Sequence, residues 1–338
     1  MNNIQRLAFW PVVIIVASIF YLLNIPAGFL IGSLCVGMYC SFFIKNTKVT
    51  KQVFPVALGL IGISLGSAVD VPLIWDSIMR FGWAIVFGIA ATIGCGLVLA
   101  FILHRSTSID KKTAVYSFIP GGASEVLGLA DRDGANISIV AAFHSVRVIL
   151  FVGFIPVFVG VGAGQGTRTR VIADILSLGA SILPIVLILF AAISVHYLFP
   201  IPAGPLLFST IIMVLLAPFA SFEVPVLLAG IGQMLIGASV GLRFNRETLQ
   251  TLREIKWTSI GLVVSMVGMT ILIGVAFSLW ARVDVFSAVL GWIPAGAGEM
   301  SSTAIVLQLD EMTVITVQLI RLYTVFFCLP LFVYWLNK

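Results

Sequence analysis

Long runs of apolar residues alternate along the chain with short polar connections. A membrane-spanning helix needs about 17–25 predominantly apolar residues. Ten runs reach this length, at 7–23, 27–44, 53–69, 81–103, 136–160, 174–198, 203–221, 225–242, 257–280 and 311–336. The pattern predicts an all-α polytopic membrane protein.

Two further apolar segments, 113–130 and 287–307, are interrupted by proline and glycine. The interruptions read IPGG at 119–122 and IPAG at 293–296. Backbone polar groups freed by such a break are tolerated at membrane depth only inside protein or beside a water-filled cavity. We therefore place both segments in the interior of the helix bundle.

Whether these two segments re-enter or cross completely decides the topology. Re-entry gives five spans in each half and a cytoplasmic N-terminus, and leaves few basic residues outside, namely Arg80, Arg168, Arg170 and Arg282. Complete crossing gives six spans in each half and moves Arg132 and the basic loop 243–256 outside. The positive-inside rule favours re-entry. Because the number of spans per half is then odd, the two halves are predicted to be inverted relative to each other.

Composition excludes the soluble classes of protein. Charged residues make up 10% of the 338 residues, against about 25% in a typical soluble protein. A soluble enzyme, a secreted disulfide scaffold, a coiled coil and a disordered regulator are therefore excluded. The net charge of +5 is spread over short loops, which indicates membrane orientation rather than binding to nucleic acid.

The sequence contains no motif for a metal or a cofactor. The four cysteines form no C-x-x-C pair, so neither a zinc site nor a disulfide framework is predicted. The three histidines, His104, His144 and His196, do not form a convincing metal triad. We expect no metal site and no cofactor.

Polar residues recur between the two halves of the chain. Pro120, Glu125, Arg147 and Pro156 reappear 174 residues later as Pro294, Glu299, Arg321 and Pro330. Chance similarity of apolar sequences does not explain two intramembrane Glu and Arg pairs with the same spacing. We therefore divide the chain into two membrane repeats, 1–165 and 166–338. Repeats whose broken helices meet near the midplane are typical of secondary transporters.

The paired motifs PGGASEV…FHSVRVILFVGFIP and PAGAGEM…VQLIRLYTVFFCLP resemble the twin motif of the AbrB-type bacterial membrane proteins. This resemblance covers nearly the whole chain and implies a duplicated multi-pass protein of the bacterial cytoplasmic (inner) membrane. The labels attached to the family are regulator of gene expression and ammonia monooxygenase. The chain has no soluble DNA-binding segment and no histidine cluster suited to copper. His144 stands where the second half has Gln318, so a role for histidine cannot be symmetric.

Glu125 and Glu299 are the first candidates for a functional site. A glutamate in the first helical turn is favoured by the free N–H groups of the helix, which gives a purely local explanation. A carboxylate at bilayer depth costs about 2.5–3.5 kcal/mol on insertion scales and is usually retained for ion or proton handling. Because each glutamate recurs together with an arginine, we favour the functional explanation.

Arg147 and Arg321 lie near the middle of their helices, where a guanidinium needs a carboxylate or carbonyl partner. Glu125 and Glu299 are the candidate carboxylates, either as a structural ion pair or as a gating pair. His144 lies on the same helix face as Arg147, and Gln318 on that of Arg321. A hydrogen-bonded core histidine is favoured over a proton relay.

The helix starts at the breaks offer backbone N–H groups that suit an anion. Gly121, Gly122 and Ser124 in the first half and Gly296 in the second complete the predicted substrate or ion site. Glu125 and Glu299 would equally suit a cation. Glycines elsewhere are predicted to let helices pack closely, at Gly59, Gly62, Gly66, Gly230, Gly232 and Gly237.

These features favour a secondary transporter or permease that moves a small solute, with an anion slightly preferred, coupled to protons or sodium. The alternative is a membrane sensor that binds a solute without moving it and regulates gene expression. An enzyme is disfavoured because Ser124 lacks a convincing base partner. We expect the lipid bilayer and a small solute as partners, no nucleic acid, and both termini in the cytoplasm; a homo-oligomer is left open.

Overall fold

The computed structural model describes most of the chain. Outside the described residues are 1–2, 24, 26, 45–49, 51, 69–70, 121–122, 164–170, 202, 217–218, 220–223, 226, 244–255, 296 and 337–338. The side chains of 3–8, 68, 71–78, 123–125, 128, 132, 156, 159–163, 171–180, 256–260, 326 and 329–336 are likewise not described.

Helices make up the described part of the chain, which contains no β-strand. The first half contains α1 (Asn3–Leu22), α2 (Gly28–Phe43), α3 (Val53–Ala68), α4 (Val71–Ser106), α5 (Lys111–Phe118), α6 (Ala123–Arg132) and α7 (Ile137–Ala163). The second half contains α8 (Val171–Leu198), α9 (Gly204–Leu216), α10 (Leu227–Gly241), α11 (Lys256–Ala281), α12 (Val285–Trp292), α13 (Ala297–Val306) and α14 (Glu311–Leu336). The predicted all-α class is confirmed.

Each predicted span falls on a helix, but the helices differ in length. Within the described residues, four stretches are long and apolar enough to cross a membrane: Met79–Ser106, Ile137–Ile155, Ser181–Leu198 and Gly261–Ala281. Shorter apolar helices lie at Phe9–Leu22, Gly28–Phe43, Val53–Ser67, Gly204–Leu216 and Leu227–Gly241. Large apolar side chains such as Trp83 and Phe190 point outward, at 76% and 72% exposure, as expected for a lipid-facing surface.

The helix that contains the predicted span 81–103 is longer than the span itself. Helix α4 begins at Val71, because a kink at Phe81 joins a preceding stretch to the apolar helix. The apolar part that is long enough to cross a membrane is Met79–Ser106. Helix α9 ends at Leu216, and most of the rest of the predicted span 203–221 lies outside the described residues.

Glycines allow the short helices to cross closely. A Cβ atom at Gly37 in α2 would lie 2.7 Å from the carbonyl oxygen of Ala238 in α10. One at Gly66 in α3 would lie 2.7 Å from the carbonyl oxygen of Thr210 in α9. Gly62 and Gly237 face neighbouring backbone in the same way. The predicted packing role is confirmed at Gly62, Gly66 and Gly237.

Both broken segments fold back on themselves as helical hairpins. Hairpin 1 is α5 and α6, residues 111–132, and hairpin 2 is α12 and α13, residues 285–306. The N–H of Asn136, just after hairpin 1, donates to Oγ1 of Thr113 at its start (2.8 Å). The N–H of Asp310 likewise donates to Oγ of Ser287 (3.0 Å). Each hairpin therefore starts and finishes at the same end of the bundle.

Equivalent aspartates start the two hairpins. Asp110 accepts a hydrogen bond from the N–H of Thr113 at 2.9 Å, and Asp284 accepts one from the N–H of Ser287 at 2.8 Å. Both are N-caps, which satisfy a backbone donor left free in the first helical turn. Helices α5, α6 and α7 thus recur as α12, α13 and α14 with starts displaced by 174 residues.

Candidate functional site

The guanidinium groups of Arg147 and Arg321 bind the carbonyl ends of the hairpins' first helices. Arg147 Nη1 donates to the carbonyl oxygen of Ile119, at the end of α5, at 3.0 Å. Arg321 Nη1 donates to the carbonyl oxygen of Trp292, at the end of α12, at 2.6 Å. The last carbonyls of a helix lack intrahelical partners and carry partial negative charge. Each arginine therefore stabilises the break that precedes α6 or α13.

His144 and Gln318 occupy equivalent places and make equivalent bonds. Nε2 of His144 lies 2.9 Å from the carbonyl oxygen of Tyr116, and Nδ1 accepts from Arg147 Nη2 at 3.1 Å. Nε2 of Gln318 donates to the carbonyl oxygen of Leu290 at 2.8 Å, and Oε1 accepts from Arg321 at 2.6 Å. A neutral imidazole has one donor and one acceptor nitrogen, as the amide has a donor and an acceptor.

These bonds assign a single protonation state to His144. Arg147 can only donate, so Nδ1 carries no proton, and Nε2 donates to the carbonyl oxygen of Tyr116. The ring is therefore neutral and both nitrogens are engaged. His144 and Gln318 are therefore different residue types, as the sequence shows, but they make equivalent hydrogen bonds.

The two arginines belong to one buried region. Arg147 is 2% exposed and Arg321 is 4% exposed. Phe151 of α7 and Val314 of α14 belong to the same central apolar cluster, so the helices that carry the two arginines pack into one interior. No carboxylate of the described residues pairs with Arg321, whose partners are the carbonyl oxygens of Gly291 and Trp292 and the amide of Gln318. The sequence left open whether Arg321 binds a carboxylate or backbone carbonyl groups, and in the structure it binds carbonyl groups.

Glu299 lies in the first turn of α13, as predicted, and is 3% exposed. Its Oε2 atom has no hydrogen-bond partner among the described residues. The positive charge that acts on it is that of Arg243, at the end of α10. Buried polar atoms without a partner are uncommon, and the binding of an ion or a solute is one explanation for them.

The remaining predicted site residues lie outside the described residues. They are the backbone of Gly121, Gly122 and Gly296 and the side chains of Ser124 and Glu125. Their helices are described: α6 begins at Ala123 and α13 at Ala297. No group of three or more His, Cys, Asp or Glu side chains suited to a metal is found among the described residues.

Comparison with known families supplies the decisive match. Residues 29–337 match the family described as transition state regulatory protein AbrB. The chain belongs to the AbrB family. The family predicted from the twin motif is confirmed.

Two relatives align over nearly their whole length with this AbrB-family chain. "Putative regulator AbrB" of Escherichia coli (strain K12) is 22% identical over 313 residues, covering 90% of this chain and 89% of the relative. "Uncharacterized protein YhjN" of Bacillus subtilis (strain 168) is 25% identical over 341 residues, covering 92% of this chain and 88% of the relative.

Arg243 is the site residue of this AbrB-family chain that sequence reasoning missed. It is exposed, and its guanidinium lies 4.8 Å from the centre of the Phe54 ring. In the sequence it stands at the start of the basic loop 243–256, where positive charge is explained by membrane orientation. It has no counterpart in the first half that would have drawn attention to it.

Proposed function

We propose that this AbrB-family protein is a secondary-transporter-like permease made of two inverted membrane repeats. Its solute site lies near the midplane, at the interface between the repeats. The observation that carries the proposal is the pair of re-entrant hairpins whose breaks are held by Arg147 and Arg321 in one buried region. Discontinuous helices at a repeat interface are the usual solute and ion sites of secondary transporters.

The directions of equivalent helices support inversion. Helices α4 and α11 each precede a hairpin and are therefore equivalent. Phe81, near the start of the apolar part of α4, packs against Phe277, near the end of α11, with ring centroids 5.7 Å apart. Leu103, near the end of α4, belongs to the same apolar cluster as Leu262, near the start of α11. The two helices therefore run antiparallel, as a two-fold axis in the membrane plane requires.

Glycine contacts give a second line of support. Gly37 faces Ala238 and Gly241, whereas Gly237 faces Leu30, so α2 and α10 run parallel. Helix α10 is the counterpart of α3, and consecutive spans of a half cross in opposite directions. A helix parallel to α2 is therefore antiparallel to α3, which again supports inverted halves. In this arrangement the protein lies in the inner membrane with both termini in the cytoplasm.

Within this permease, Glu299 is our candidate for coupling transport to a proton or Na⁺. Its carboxylate is buried, one oxygen has no hydrogen-bond partner in the part of the chain that the structure describes, and it stands beside the break of hairpin 2. Intramembrane carboxylates of this kind mark ion and proton pathways. Glu125, at the equivalent place in hairpin 1, is its proposed counterpart. The solute class favoured is a small anion.

Flux into proteoliposomes tests this function. We expect the purified protein to move one member of a panel of small organic anions, and Glu299→Gln and Glu125→Gln to abolish its coupling to an ion gradient. Glu311→Gln is the matched control, since Glu311 is only partly buried at the start of α14. Normal coupled flux in both site variants would show that these carboxylates are wrongly assigned.

The alternative function is a membrane sensor, which the name of the Escherichia coli relative favours. A sensor would bind the solute in the same reconstituted membranes but produce no flux. It would also require a soluble partner that transmits the signal. Solute binding without flux, together with a co-purifying cytoplasmic protein, would replace the permease proposal by this one.

A further inference from the structure

A cavity of about 200 Å³ lies between hairpin 1, α7 and the end of α10. Helix α7 contributes Ala141, His144 and Ser145 along one face, and Arg243 also lines the cavity. Arg243 is the exposed residue of the described lining, so the cavity opens on its side. The lining therefore joins parts of both halves of the chain.

The volume limits the size of an occupant. Typical sites for drug-sized ligands measure about 300–1,000 Å³. An engineered apolar cavity of about 150 Å³ in another protein holds benzene. A space of about 200 Å³ accordingly suits a solute of roughly six to nine non-hydrogen atoms.

The chemistry of the lining selects the class of solute. Leu127, Ala141 and Val240 present apolar surface, and no carboxylate belongs to the described lining. The guanidinium of Arg243 contacts the Phe54 ring but donates no hydrogen bond to another described residue. Ser145 likewise has no hydrogen-bond partner among the described residues. A guanidinium binds a carboxylate strongly, and the hydroxyl supplies a further donor.

The second half carries larger residues at the matching positions. Displacement by 174 relates Ala141 to Ile315 and Ser145 to Leu319. Ile315 is 3% exposed and belongs to the central apolar cluster, against which Leu319 packs. Arg243 corresponds to Pro72 in the first half, at the displacement of 171 residues that also relates Gly66 to Gly237. The equivalent position in the other half of the protein therefore lacks the open space, the serine hydroxyl and the arginine that occur together in this cavity.

We propose that this cavity binds a small aliphatic monocarboxylate, with its carboxylate on Arg243 and Ser145 and its hydrocarbon chain against Leu127 and Val240. This inference deepens the proposed permease function and rests on it for its role in transport. Glu299, on which the charge of Arg243 acts, competes with the bound carboxylate for the same guanidinium.

Calorimetric titration of the full-length protein in nanodiscs with butyrate tests the proposal, with 1-butanol and butylammonium as neutral and cationic probes of similar size. We expect butyrate alone to bind. Arg243→Gln should weaken binding about tenfold or more, since a hydrogen bond to a charged group is lost. Ser145→Leu, which introduces the residue of the second half, should abolish binding by filling the cavity. Glu299→Gln should strengthen binding severalfold.

Matched controls keep the outcome interpretable. Arg105→Gln removes another exposed arginine that lies over a phenylalanine ring, 5.1 Å from the centre of Phe101. Ser265→Leu introduces leucine at an exposed serine of α11. Both control variants should bind butyrate as the parent does, and thermal unfolding should show that Ser145→Leu is folded.

Three results would overturn the proposal: no binding of butyrate, equal binding of all three probes, or unchanged binding in Arg243→Gln and folded Ser145→Leu. Flux assays separate this failure from that of the permease. Butyrate binding without flux would refute transport and leave the cavity assignment intact. Flux of another solute that Ser145→Leu does not affect would refute the cavity assignment alone.

Discussion

Buried polar side chains of this protein serve the free carbonyl groups at two helix ends. A helix that stops inside a membrane protein leaves carbonyl oxygens that no water can satisfy. Arg147 and His144 supply donors to the end of α5, and Arg321 and Gln318 supply them to the end of α12. This role explains why an arginine accompanies each Pro-Gly break.

The equivalence of His144 and Gln318 gives a prediction at this scale. His144→Gln should retain the stability of the parent, because the amide reproduces one donor and one acceptor. His144→Leu should destabilise the protein by about 1–3 kcal/mol, because it removes the acceptor of Arg147 Nη2 and the donor to the carbonyl oxygen of Tyr116. Thermal unfolding in detergent compares the two variants. Equal loss of stability in both would contradict the neutral-histidine assignment.

The sequence identified these side chains but not their partners. The spacing between the halves marked Glu299, Arg147 and Arg321 as a set, since a repeated polar residue in an apolar segment stands out. It could not distinguish a carbonyl partner from a carboxylate, because that depends on how each hairpin folds back on the following helix. Arg243 escaped notice because it has no repeated counterpart.

The N-caps of the hairpins govern stability at the scale of the element. Burial opposes ionisation of Asp110, but hydrogen bonds from the side chain and backbone of Thr113 outweigh it and lower the pKa of Asp110. Because the folded pKa is below the unfolded one, the cap stabilises the protein above the unfolded pKa and loses its effect as pH falls through the folded pKa.

We therefore expect Asp110→Ala to lower stability near neutral pH by about 0.5–2 kcal/mol. The difference from the parent should vanish at a pH well below the ordinary aspartate value of about 3.9. Thermal unfolding at both pH values measures this. A difference that is independent of pH would show that Asp110 does not cap α5 as a carboxylate.

Helix crossings give a second prediction for elements. Gly62→Ala in α3 should destabilise the protein by about 1–3 kcal/mol, since its Cβ would meet the backbone of Leu206. Gly268→Ala in α11 is the control, because its Cβ would meet open space. It should be neutral or stabilising by up to about 1 kcal/mol through helix propensity. Similar melting temperatures for both variants would refute the close crossing of α3 and α9.

Apolar run lengths located every long helix, because membrane spans are defined by hydrophobicity alone. The two breaks could be located because proline and glycine disfavour a continuous helix whatever the rest of the chain does. Gly82 directly follows the kink at Phe81, but a single glycine inside an apolar run did not indicate that the helix extends back to Val71. Helix ends in this chain depend on caps and kinks more than on the apolar run.

At the scale of the molecule, the account depends on two hairpins that enter one bundle from opposite sides. A duplicated half with an odd number of spans produces this arrangement without further assumptions. In the proposed arrangement Arg147 and Arg321 meet in the interior, and the two hairpin ends, near the exposed Asp131 and Gln308, lie at opposite faces of the membrane.

Cysteine labelling from the two sides of the membrane tests this claim most directly. With Cys35, Cys40, Cys95 and Cys328 replaced, single cysteines at Asp131 and Gln308 are treated with a membrane-impermeant maleimide in intact cells and in inside-out vesicles. We predict that the Asp131→Cys variant reacts only in inside-out vesicles and the Gln308→Cys variant only in intact cells. Reaction of both from the same side would contradict the inverted arrangement.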